Sequence, residues 1–276
     1  MQLKAITYSR EEAIAAITDY YKFLTRLYLH ESHVVYPPAG GWPAILNADP
    51  TVLQLLGKSD EVLALLAHLP YVTDETVEIS PDSTTPNWAA LISGIAPGDL
   101  ERIETRRALT EGRRYREISP PHVVGLVLNQ EEAVVLDMER GVIIWEDCPS
   151  WISDGDPRGH RVPWDLDDGI SPEQADWYHD YNSIAWGIGD FFDVLKEQFV
   201  KLDWVPISHF AVLDGTENNG WDHDEGMLDS LRHIYRQHGW PDLETYRKEE
   251  CLAAVLRLMA EKYPESACWR EAMAGF

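Results

Sequence analysis

Between Ile118 and Trp145 the chain reads ISPPHVVGLVLNQEEAVVLDMERGVIIW. Three short apolar runs, His122–Leu128, Ala133–Asp137 and Val142–Trp145, alternate with two polar tetrads, Asn129–Glu132 and Met138–Gly141. Val, Leu and Ile dominate the runs, and β-branched side chains suit a pleated, half-buried surface. Each tetrad is short enough for a hairpin, and Gly141 can supply the positive φ of a tight reversal. The pattern predicts an antiparallel meander in the middle of the chain.

Helical signals flank it. Ser9 and Glu12 have capping-box spacing, and Ile14, Ile17, Tyr21, Leu24 and Tyr28 follow at three- and four-residue steps. The prolines and glycines of Tyr36–Pro43 end that helix. Asp49-Pro50 is a cap and first-turn signal with Gly57 as a stop, and Ser59 caps a helix carrying Val62, Leu63, Leu66 and Leu69. Thr73–Thr85 is polar and reads as a loop, and Pro86 opens a short helix with Trp88, Leu91 and Ile92. Glu146–Ser183 is acidic, bears Pro and Trp, and exceeds an ordinary connection, which points to a functional loop or an ordered excursion. Asp190 then opens DFFDVLKEQFVKL, with Phe191, Phe192, Leu195, Phe199 and Leu202 on a wide apolar face. Trp204–Ile207 and His209–Leu213 read as strands. Asp224 starts a helix that stops at Gly239, and Glu244–Tyr263, ended by Pro264, reads as the last helix. The expected fold is α+β, a central antiparallel sheet with helices packed on it and helical N- and C-terminal extensions. One domain spans 1–276: a helical part over 1–70, sheet and helix over 118–213, and C-terminal helices over 224–276.

Leu69–Tyr71 (LPY), then LDMERGVIIW (Leu136–Trp145), an acidic loop and AWGIGDFFDVLKEQF (Ala185–Phe199) follow one another in that order. This succession resembles the SMI1/KNR4-like, or SUKH, superfamily in the form found in filamentous fungi. Asp137 and Gly141 match its "D…G" hairpin, and the Phe191–Leu195 helix matches the one that packs on its sheet. The resemblance covers roughly residues 50–205. It implies a binding scaffold, since members include bacterial immunity proteins that neutralise toxins and a yeast regulator of cell-wall signalling. It carries no catalytic residues.

Composition narrows the partners. The formal net charge is −24, a field that repels nucleic-acid phosphates and anionic lipid and favours a cationic partner or plain solubility. Cys148, Cys251 and Cys268 show no CxxC spacing, which fits a reducing compartment. MQLKAITYSREEA has no leader-like apolar run, and no apolar run approaches a membrane span, so a cytoplasmic location is expected.

Chemical signatures are sparse. The densest ligand-like cluster is Trp221-Asp222-His223-Asp224-Glu225, where a histidine flanked by carboxylates could join a metal site. Helix capping by Asp222 or Asp224 explains the same residues, so no metal is expected. From Asp165 the segment Trp164–Gly169 has a calcium-loop flavour, but its glycine falls one position early and Asp176 replaces the closing glutamate. Gly187-Ile188-Gly189 lacks a third small residue and follows no clear long strand, so dinucleotide binding and other cofactors are not expected. The arginine island Arg102, Arg106, Arg107, Arg113, Arg114 and Arg116 could clamp an anion or pair with the chain's own acids. His122, after Pro120-Pro121, is a candidate general base or a hydrogen-bonded structural histidine.

Together these features favour a non-catalytic protein-binding scaffold. Its contact residues are Trp151, Trp164 and Trp177 as anchors with Asp165, Asp167 and Asp168 around them, and its partner is a basic protein. The alternative is a cofactor-independent enzyme of isomerase or cyclase type. It would take a small apolar metabolite into a pocket lined by Trp145, Trp151, Trp164, Trp177 or Trp186.

Overall fold

The computed structural model of the chain describes residues 6–96, 99–111, 119–128, 133–146, 148–162, 183–216 and 224–274. The fold is α+β, with eleven α-helices and antiparallel sheets among the described residues. Two compact units are distinguishable. The first takes residues 1–18, 35–71 and 85–193, and the second takes 19–34, 72–84 and 194–276.

The first helix, α1 (Arg10–Leu27), starts where the sequence places it, with the Glu12 amide donating to Ser9 Oγ at 3.3 Å. Short strands β1 (Val34–Val35) and β2 (Tyr71–Val72) bracket three small helices, α2 (Pro43–Leu46), α3 (Pro50–Leu56) and α4 (Asp60–Leu66). Local chemistry sets their ends. Asp49 accepts from the Thr51 amide, Gly57 closes α3 at φ +66°, and Ser59 accepts from the Val62 amide. Thr73–Thr85 contains neither helix nor strand. Asn87 caps α5 (Trp88–Ser93), and α6 (Leu100–Glu111) carries the first half of the arginine island.

The meander forms the core of the first unit. β3 (Val123–Gly125), β4 (Val134–Asp137) and β5 (Val142–Trp145) pair antiparallel in sequence order, in registers that include Val124 opposite Leu136 and Leu136 opposite Ile143. All eleven residues of these strands are buried, so this is an interior sheet rather than a half-wet one. Gly141 reverses the chain at φ +66°, and a Cβ there would stand 2.7 Å from the Tyr8 amide nitrogen. Gly125 answers a different need: a Cβ on it would lie 2.1 Å from the Thr110 carbonyl, because α6 runs directly against β3.

After a one-turn helix, α7 (Ser150–Ser153), come β6 (His160–Val162) and β7 (Ser183–Gly187). They complete a five-stranded sheet of order β3-β4-β5-β7-β6, all neighbours antiparallel. The sequence shows no clear long strand before Gly187, and the strand that stands there has five residues. β7 is short, yet it lies between β5 and β6 and pairs with both. Its Trp186 is fully buried against Trp145 and Phe191, with ring centroids at 6.5 and 6.0 Å. The following helix, α8 (Ile188–Lys201), begins two residues before Asp190, so that acid sits in the first turn, where the helix dipole favours it. Its opening turn packs Phe191 on Trp145 and Trp186, as the apolar pattern predicts.

From Val194 onward the helix belongs to the second unit. There Phe199 is completely buried among Phe23, Tyr28 and Trp204. The unit adds a hairpin of β8 (Trp204–Pro206) and β9 (Val212–Asp214), then α9 (Met227–Gln237), α10 (Lys248–Lys262) and α11 (Ala267–Ala274). α9 starts three residues after Asp224, whose carbonyl accepts from the Met227 amide. α11 lies beyond Pro264, so the helix over 248–262 is not the last. Buried tyrosines pin main-chain carbonyls: Tyr20 donates to Ile79, Tyr28 to Glu78 and Tyr235 to Pro206 at the end of β8. The Lys248 ammonium caps the end of α1, donating to the Thr25 and Leu29 carbonyls at 3.0 Å each.

Candidate functional site

Of the contact residues expected from sequence, Trp151 alone is described. It is half-buried on α7, whose Ile152 turns into the core. The ground after it is ionic. Arg158 holds Asp156 through Nη2 at 2.6 Å, and Arg161 on β6 reaches Asp154 at 3.0 Å. The Arg161 pair is well exposed, so it shapes the surface more than it stabilises it. Trp164, Asp165, Asp167, Asp168 and Trp177 lie outside the described residues, as do His223, Arg113, Arg114, Arg116 and the calcium-like segment.

Two tryptophans proposed for a pocket have another place. Trp145 and Trp186 are buried at 7% and 0% exposure, packed on each other and on Phe191. The Gly187-Ile188-Gly189 turn joins β7 to α8, but β7 runs antiparallel to both neighbours. A dinucleotide fold needs a parallel βαβ unit at that point.

His122 lies where β3 begins. Its Nδ1 is 3.2 Å from Glu139 Oε1 and its Nε2 is 3.8 Å from Asp137 Oδ1. The Asp137 side chain is fully buried at the end of β4. It accepts from the Arg140 amide at 3.1 Å and from the Arg140 guanidinium at 3.3 Å, tying the β4–β5 turn together. Asp137 therefore organises the hairpin that Gly141 completes. An imidazole between two carboxylates has the chemistry to exchange a proton, the role weighed for it from sequence. Its neighbours here are the turn and strand side chains of that hairpin.

A second polar cluster went unnoticed in the sequence. Lys58, between the Gly57 stop and the Ser59 cap, places Nζ 2.6 Å from Glu111 Oε1 at the end of α6. Neither side chain has any exposed surface. Arg107, one turn back on α6, sets Nε 3.6 Å from the other carboxylate oxygen, and Lys58 also reaches Ser119 Oγ at 3.4 Å. Burial pulls the Lys58 ammonium below its usual pKa, and the Glu111 carboxylate opposes that pull. One signal was legible, the four-residue spacing of Arg107 and Glu111. The long-range partner was not. Arg102 also serves the fold, donating to the Gly94 carbonyl at 2.7 Å past the end of α5.

In the second unit His30, His33 and His209 gather near the end of α1. Ring centroids of His30–His33 and of His30–His209 are each 6.2 Å apart, and His209 Nδ1 bonds the Tyr28 carbonyl. Cys148, Cys251 and Cys268 form no disulfide among the described residues, and burial pushes Cys251 up to about 11. Among the described residues no helix is long and apolar enough to cross a membrane. Comparisons of the chain with models of known families, with curated proteins and with solved structures give no match.

Proposed function

We propose that this chain is a non-catalytic, SUKH-like binding module that works in the cytoplasm and engages a basic protein. The observation that carries the reading is the meander with its Asp137–Gly141 hairpin and the Phe191 helix packed on Trp145 and Trp186. This sheet-and-helix packing supports the family reading, and it uses Trp145, Trp186 and Phe191 for packing against one another. The net charge of −24 supports a cationic partner, because an acidic field speeds the encounter with a basic one. Contact is assigned to the acidic segment 146–180, with Trp151, Trp164 and Trp177 as anchors and Asp165, Asp167 and Asp168 around them.

The test is affinity capture from cell extract with the wild-type chain and with a Trp151→Ala, Trp164→Ala, Trp177→Ala triple variant, followed by binding of the purified partner. The triple variant should lose the partner. Association with the wild type should slow steeply as ionic strength rises above about 0.1 M, where the screening length is ~10 Å. Retention of the same partner by the triple variant rejects the assigned surface. Turnover of a small metabolite by the purified chain without added cofactor rejects the non-catalytic reading in favour of the enzyme alternative.

A further inference from the structure

We draw no further inference here: the strongest candidate, the surface side-chain cluster of His30, His33 and His209 beside the β8–β9 hairpin, carries nothing because its measured ring centroids stand 6.2 Å apart and, among the described residues, no group of three His, Cys, Asp or Glu side chains is placed to hold a metal ion.

Discussion

Replacing Lys58 by methionine tests the ionic cluster most directly. The substitution keeps an unbranched side chain one atom shorter and removes its charge. It leaves the Glu111 carboxylate fully buried, with the Arg107 Nε at 3.6 Å as a cationic neighbour among the described residues. Breaking one side of a buried pair costs about 3–5 kcal/mol, since the surviving charge keeps its desolvation penalty and loses its partner. Lys58→Met should therefore lower the unfolding free energy by that amount, read by urea denaturation followed through tryptophan fluorescence. The double variant Lys58→Met, Glu111→Leu should recover most of the loss, because neither charge is then left stranded. The coupling between the two sites, taken from the full cycle, should exceed about 2 kcal/mol. The pH dependence follows from the direction of the Lys58 shift. Its folded pKa lies below 10.5, so between that value and 10.5 the unfolded chain binds more protons. The Lys58 contribution to stability thus rises with pH through that window. A Glu111→Gln variant removes the carboxylate that opposes the shift, so its stability should climb more steeply than the wild type's. A single-variant cost below about 1 kcal/mol, or a double variant as damaged as the sum of the singles, would refute the buried-pair argument.

Three further outcomes are expected. Phe199→Ala empties a fully buried ring site and should cost about 3–5 kcal/mol, whereas a change under about 1 kcal/mol would mean the ring is not in the core. Gly125→Ala drives a methyl onto the Thr110 carbonyl and should destabilise by about 1–3 kcal/mol; unchanged stability would show that α6 does not lie against β3. Tyr20, Tyr28 and Tyr235 hold their hydroxyl protons well above pH 10 because of burial, so above pH 10 the folded chain binds more protons and stability falls. Phenolate absorbance at these rings should then appear together with loss of circular dichroism, and early ionisation in a still-folded chain would contradict their burial.

What the sequence conveyed, it conveyed through local rules. Asp49, Gly57 and Ser59 mark helix ends by their own side chains or their lack of one, and the meander declares itself through apolar runs at hairpin spacing. Elements made by tertiary pairing were harder to read. β6 reads His-Arg-Val, which carries little strand character, and exists as a strand through its ladder with β7. In α6 the run of arginines drew notice as charge, which hid a helix. α11 follows a proline that ends one helix without forbidding the next. The buried Lys58–Glu111 pair went unread because both residue types are ordinarily solvent-facing, and their partnership joins positions far apart in the chain. Among the site candidates, the sequence offers Trp145 and Trp186 for a pocket, and the sheet buries both through pairings that local sequence does not display.

The position of β7 between β5 and β6 bears on how this chain tolerates change. The β6–β7 ladder sets Val162, the end of β6, opposite Ser183, the start of β7, and the β5–β7 ladder anchors Ile184 opposite Trp145. Closing a coil between fixed ends costs free energy that grows only with the logarithm of its length, so each doubling adds about 0.6 kcal/mol. Added length between β6 and β7 should thus leave thermal stability nearly untouched, because the β6–β7 ladder holds the strand ends together. The same number of residues added between β4 and β5 would dismantle the Asp137 turn. Variation in this architecture therefore has an inexpensive place to accumulate, and it is the segment to which partner choice is assigned.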